Sequence, residues 1–427
     1  MVPIPDTFDL NGDQETYPGG KLPWQQMSDV LDLRTNLRID NVKTIFSALQ
    51  CRLDCKPGYL SDLPPIISCV DGNYEPYRPQ EFTCQRTVAL IVSTKGEMEV
   101  FSEDERCNMM FKNIPALTLA GHSVNLLDNQ LILGAFGVAR DSWKYLSLKD
   151  PRNGLLANPW TETKTLGTNG PIGHLSFVYG KDLFYIGGER GTQAVLQNGR
   201  TENGEWNTLK LTWKDGTNFE APRGACLVKV NSYKFALLGG HYNTVSQKTA
   251  VVVMINMREQ SVEELGSLEF ARTNHACAIT SGPSNSSNSN DMVLVTGGIL
   301  DESDVHDEIF DLLDRSSNRS DTDMNIPRSG HRMVTLGQDV FAFGGQNLID
   351  GSEVNTTEVY NSSSKSWSTH PTHLMTNSTS GLAVTTLPLS AVSCNHGCSC
   401  GVKSNARIIG GVEAEVSSCH FFVRSIV

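Results

Sequence analysis

Short apolar runs, each closed by two glycines, recur along the chain. They read DLFYIGG ending at Gly187-Gly188, KFALLGG at Gly239-Gly240, MVLVTGG at Gly297-Gly298 and VFAFGGQ at Gly344-Gly345. The steps between the pairs are 52, 58 and 47 residues. Brief apolar runs bounded by turn residues read as strands, and a β-rich unit repeating at this interval means a radial or stacked array. One such unit alone leaves an apolar face bare, and only its neighbours can cover it.

A second strand precedes each pair. It opens as GHSVNLL (His122), GHLSFVY (His174), RGACLVKV (Cys226), NHACAIT (His275) and SGHRMVT (His331). His174 to Gly187, Cys226 to Gly239 and His331 to Gly344 are each 13 residues. His275 to Gly297 is 22, and the polar segment SGPSNSSNSN accounts for the excess as an inserted loop. Beyond the glycines comes another strand and often a tryptophan, as with Tyr360 and Trp367, or Trp160 and Trp206 in earlier units. This order resembles the kelch repeat. The resemblance implies four-stranded antiparallel blades around a central channel. The segment GLAVTTL (381–387) has no glycine-pair strand after it, and TVALIVS (87–93) has no strand before it. Pairing the two would complete a sixth blade and remove the open sheet edge. The expected fold is therefore all-β: a six-bladed propeller over residues 87–388, between a small disulfide-rich module and an irregular tail.

The flanks differ in kind. Residues 1–50 show no repeat, and their pattern suggests a helix over 27–49. Residues 51–86 carry Cys51, Cys55, Cys69 and Cys84 in an order that resembles the second half of a sushi module, a small β-domain held by two disulfides. Cys51 and Cys55 lie four apart, which departs from that family and leaves the pairing open. In residues 389–427, CSCGVKSNAR-IIGGVEAE resembles the activation segment of trypsin-like serine proteases. That resemblance implies cleavage after Arg407, a new amino terminus at Ile408, and a prosegment tether at Cys400. Only 20 residues follow Arg407, and no catalytic histidine, aspartate or serine segment is among them, so this chain cannot assemble a triad. Together the resemblances imply the non-catalytic binding region of a secreted trypsin-like zymogen, truncated before its catalytic domain. The implied partners are a protein or glycan at a propeller mouth and an activating trypsin-like protease. No cofactor is implied. The alternative is a free-standing secreted kelch scaffold.

Composition narrows this further. A net charge of −12 over 427 residues disfavours nucleic acid, whose binding needs a basic footprint. No apolar run is long enough for a membrane span. Cysteines cluster at both ends, the second group including Cys394, Cys398, Cys400 and Cys419, which suggests disulfide modules in an oxidising compartment. Five glycosylation sequons, at Asn285, Asn318, Asn355, Asn361 and Asn377, agree with an extracellular location. The opening MVPIPDTFDLNG lacks the features of a secretory signal, so either the chain is intracellular or the sequence is a piece of a longer precursor, and the carboxy-terminal R-IIGG segment favours the second. Zinc-like spacing in CNHGCSC (394–400) reads as disulfide chemistry, and the acidic run Asp301 to Glu308 as a solvated loop. The histidines could ring a channel mouth around a metal, but hydrogen bonding between blades is the expected role. No metal site is expected. Cys226 and Cys277 are expected to be small buried side chains, not a reactive pair.

Overall fold

The computed structural model describes residues 37–45, 48–55, 58–61, 66–70, 73–75, 84–94, 97–103, 109–112, 123–127, 130–135, 142–147, 161–163, 174–180, 182–187, 194–196, 206–242, 247–281, 291–300, 306–374 and 381–389. The chain divides into two compact units, Met1–Lys56 with Ser61–Cys84, and Pro57–Leu60 with Gln85–Val427.

The first unit is a four-stranded antiparallel sheet of Leu37–Ile45, Ala48–Cys55, Ile66–Val70 and Asn73–Glu75, in that order. Strands therefore occupy 37–45 and 48–49 of the stretch where a helix was expected, and 27–36 and 46–47 lie outside the described residues. The reason is visible in the residue pattern. Leu37 and Ile39 alternate with polar neighbours, but a register shift between Asp40 and Val42 interrupts the two-residue period. That break hides the strand from a periodicity reading. A disulfide joins Cys55 to Cys84 in this unit.

In the second unit the sheets follow one another along the chain, each an antiparallel meander. Ser123–Leu127, Gln130–Ala135, Ser142–Ser147 and Thr161–Thr163 form one, and His174–Tyr179, Asp182–Gly187, Ala194–Leu196 and Trp206–Thr208 the next. Cys226–Lys229, Lys234–Leu238, Val251–Asn256 and Ser261–Ser267 follow, with Thr212–Trp213 added in parallel at the outer edge. Then come Ala276–Ser281 through Ser316–Arg319, and Arg332–Leu336 through Ser366–Leu374. This is a propeller-like arrangement, because the apolar core lies between the faces of successive sheets. Phe177 of one sheet meets Phe235 of the next at 4.3 Å, and Val340 and Tyr360 pack with Ala278 and Leu294 of the preceding sheet.

The two ends of the unit meet in one sheet, as expected from their unmatched strands. Ala383–Pro388 runs antiparallel to Gln85–Val92, from Ala383 opposite Val92 to Pro388 opposite Thr87. Glu97–Phe101 and Met109–Lys112 complete this sheet, and Tyr59–Leu60 pairs with its Gln85 and Arg86. The apolar run Val88 to Val92 is entirely buried, and Phe101 packs against Phe341 and Phe343 of the neighbouring sheet at 5.2 and 5.3 Å.

Cys226 and Cys277 correct the sequence reading, for they form a disulfide between the first strands of two successive sheets. Their Cα atoms are 5.9 Å apart, and both sit in the core cluster between those sheets. The equal spacing of 13 misplaced Cys226. In register, Cys226 faces Leu238, whereas Ala276 faces Thr296 and Arg332 faces Phe343. Ala225, not Cys226, therefore stands where His275 and His331 stand. The hairpin at Asn231 to Tyr233 holds one residue more than the one between Leu336 and Asp339, and the Asn231 side chain caps it by accepting from the Tyr233 and Lys234 amides.

Cys226 and Cys277 should resist alkylation in the native protein without reductant and emerge as one cross-linked peptide pair. The double substitution C226A/C277A should lower unfolding free energy by about 2–4 kcal/mol, measured by urea denaturation. Free alkylation of both thiols in the folded state would refute the bond.

Candidate interaction face

The pairs Gly239-Gly240 and Gly297-Gly298 lie where one sheet passes beneath the next. A Cβ on Gly239 would meet the His275 ring at 2.8 Å and the Arg272 carbonyl at 2.9 Å, both from the following sheet. On Gly240 it would meet the Arg223 carbonyl at 2.7 Å and the Ala225 Cβ at 2.9 Å, within its own sheet. Both glycines also have positive φ, so a side chain is excluded on two grounds. Gly297 stands likewise against His331 and Arg328, and Gly298 against His275.

The segments around these pairs build one rim. Arg223 exchanges backbone hydrogen bonds with His241, Arg272–Thr273 pairs with Ile299–Leu300, and Arg328–Ser329 pairs with Gln346–Asn347. Hydrogen bonds then step from sheet to sheet: the Asn274 amide donates to the Gly224 carbonyl at 2.7 Å, and the Gly330 amide to the Asn274 carbonyl at 2.8 Å. Gly224, Asn274 and Gly330 all have positive φ, which turns the chain sharply into each first strand. Ile349 is 81% exposed and Ile299 43% exposed on neighbouring segments of this rim.

Beneath the rim, two sheets carry the same buried ion pair, Arg272 with Glu308 and Arg328 with Glu358, all four side chains at 0% exposure. Arg272 also donates to the Gly297 and His306 carbonyls, and Arg328 to those of Gly344 and Thr356. Glu308 accepts from the Glu269 and Phe270 amides, and Glu358 from those of Asn325 and Ile326. Each carboxylate thus holds the crossover from the preceding sheet. In the sheet before these, Pro222 occupies the arginine position and Val253 the glutamate position, by the same register. Arginine and glutamate are present or replaced together, as expected if a lone buried charge is the costly state. Glu308 and Asp307 accordingly correct the reading of the Asp301 to Glu308 run as solvated: both are buried.

Two of the histidines, His174 and His331, hydrogen-bond between sheets as expected. His174 hydrogen-bonds the Ser123 hydroxyl at 3.2 Å and His331 the Thr296 hydroxyl at 2.8 Å, each from the preceding sheet. Burial, then the Arg272 charge, lowers the pKa of His275 to about 3. His331 is held well below its ordinary value, by burial first. Asp307 moves the other way, up to about 7, chiefly by burial. Among the described residues, no group of three or more His, Cys, Asp or Glu side chains could hold a metal ion, and no helix is long and apolar enough to cross a membrane.

Of the sequence-derived site residues, Arg407, Ile408, Cys400, Cys394, Cys398, Asn285, Asn377 and His122 lie outside the described residues. Cys51 and Cys69 fall in paired strands, with Leu49 opposite Cys69. Asn318 and Asn355 are exposed. Asn361 is half-buried and engaged: its Nδ2 donates to Asp339 at 3.4 Å and its Oδ1 caps the turn at Ser363 and Ser364. The buried ion pair is what sequence reading missed. The glutamates lie 36 and 30 residues downstream of their arginines, too far for a local spacing to link them.

Removing one partner should be far worse than removing both. R272M should cost about 3–5 kcal/mol by leaving Glu308 buried and unpaired, whereas R272M/E308V, which approximates the neighbouring sheet, should recover most of that loss in urea denaturation. The pH response has two opposing parts. The histidine contribution is present above pH 6.5 and falls as pH drops toward the lowered folded value of about 3. The Asp307 contribution is full below 3.8 and is lost as pH rises through about 7. D307N should therefore melt above the wild type at pH 8, with the gap shrinking steadily toward pH 5. A pH-independent gap in calorimetry would refute this assignment.

Residues 327–372 match the Kelch motif. No curated protein matches the chain. The matched segment runs from the entry at Arg328, through Gly344-Gly345, to the facing pair Tyr360 and Trp367, whose rings lie 5.4 Å apart. A kelch motif in a propeller-like arrangement of sheets suggests a protein-binding scaffold, of a fold that is typically non-catalytic.

Proposed function

We propose that the chain is the protein-binding arm of a secreted protein, with six blades and the glycine-pair rim as its recognition face. The observation that carries this is the rim itself. Its backbone is locked from sheet to sheet by hydrogen bonds, its side chains differ between equivalent positions (Arg223, Thr273 and Ser329), and two large apolar ones stand exposed. Rigid support beneath variable side chains is what a recognition surface needs.

Two disulfides, Cys55–Cys84 and Cys226–Cys277, are compatible with an oxidising, extracellular setting, and the exposed sequons Asn318 and Asn355 are proposed glycan sites there. The R-IIGG segment supports a finer reading, in which the arm belongs to a trypsin-like zymogen and is released or switched by cleavage after Arg407. Binding would then hold a protease near its target and raise effective concentration without adding chemistry of its own.

Expression through a secretory pathway should yield a glycoprotein that loses mass on N-glycanase treatment, with deamidation mapped to Asn318 and Asn355. Brief trypsin treatment should cut first after Arg407 and leave the propeller whole. Secreted protein without glycan would count against the location, and first cuts within 87–388 would count against the exposed activation site.

A further inference from the structure

Three arginines border the rim, and they differ in one respect. Arg272 and Arg328 each bond a buried glutamate, while Arg223 has no carboxylate partner among the described residues. Its surroundings are nevertheless ordered. Reciprocal backbone bonds of 2.9 Å tie Arg223 to His241, and the Arg223 Nε donates to the His241 Nε2. An arginine always donates, so that histidine nitrogen accepts and the ring is neutral. The ring proton then sits on Nδ1, which donates to the Thr273 hydroxyl at 3.2 Å, and Thr273 lies within 3.4 Å of the Gly224 carbonyl. Burial, then the charges of Arg223 and Lys248, lowers the His241 pKa, in keeping with the neutral ring.

The relay anchors one nitrogen of the guanidinium. The two terminal nitrogens make no hydrogen bond among the described residues, and the side chain is half-buried. A cation fixed in this way, in a chain of net charge −12, has its planar fork available to an outside acceptor. Lys248, whose backbone bridges to His241, adds positive charge at the same place. Farther along the rim stand the exposed Ile299 and Ile349.

We propose that Arg223 is the carboxylate-binding anchor of the rim, and that the partner presents an acidic side chain to it from an extended segment with apolar residues for Ile299 and Ile349. This rests on the rim being the recognition face. His241 and Thr273 are positioning residues that hold the arginine fork in place.

The test pans a random peptide library, displayed on phage, against the intact chain. Enriched peptides should combine aspartate or glutamate with apolar residues. A synthetic peptide of the enriched sequence should bind at least tenfold more weakly to R223Q, and its affinity for the wild type should fall as salt rises. R223K should retain part of the binding, since it keeps the charge without the fork. Thermal melting establishes that the variants are folded. R258Q, which alters an arginine stacked on Tyr233 at the far end of the hairpin, should bind as the wild type does. Equal binding by R223Q, with loss in I349D, would overturn the anchor but leave the rim as the recognition face. Equal binding by both variants would overturn the rim reading itself. Enrichment of peptides without acidic residues would overturn the carboxylate proposal.

Discussion

The close passage of one sheet's glycine pair beneath the next sheet governs this molecule. At Gly239 and Gly240 the space a side chain would need is filled by the His275 ring and by the carbonyls of Arg272 and Arg223. That contact sets the spacing between sheets, and the buried features of the rim follow from it. The next sheet's histidine can seat over the first glycine only because it is neutral and buried. The arginine three residues ahead of it is buried for the same reason, and so needs a glutamate. Position-matched replacement by Pro222 and Val253 in a neighbouring sheet shows that burial is the constant requirement, while charge is optional provided both partners change.

Closure solves a separate problem. Stacked sheets would otherwise end in an exposed edge, and the strand Ala383–Pro388 removes it by pairing with Gln85–Val92 from the far end of the unit. The cost is a contact of very long sequence separation, made after the intervening chain has found its place. The disulfide between Cys226 and Cys277 shortens that search locally by fixing two successive sheets to each other.

Much of this was legible in the residues. Glycine pairs at a near-constant step disclosed the repeat, and the two unmatched end strands disclosed the closure, because an array of meanders has only one way to bury its last face. Features that depend on register were not legible. One additional residue in the Asn231 to Tyr233 turn displaced Cys226 from its true equivalents, and a register shift after Asp40 concealed a strand. The glutamate partners were hidden because side chains that meet across a blade lie a strand and a loop apart. The rim suffers most from this, since Arg223, His241 and Thr273 come from three separate segments and no spacing rule links them.

The same contrast explains why the rim, and not the buried starts of the first strands, is the place to look for specificity. Buried positions such as His275 and His331 are already committed: each packs against a glycine of the preceding or its own sheet, and any change there disturbs two sheets at once. The exposed rim side chains Ile299 and Ile349 have no such double duty. Thr273 and Ser329 occupy positions equivalent to Arg223 on successive sheets, so this position accepts residues as different as a hydroxyl and a guanidinium while the backbone pairing beneath them persists. A large cation placed where its neighbours carry small hydroxyls, and held by a relay that leaves its fork unspent, is costly to order and contributes little to the core. Its place in that geometry accords with the proposed acceptor outside the chain, since it stabilises little within it.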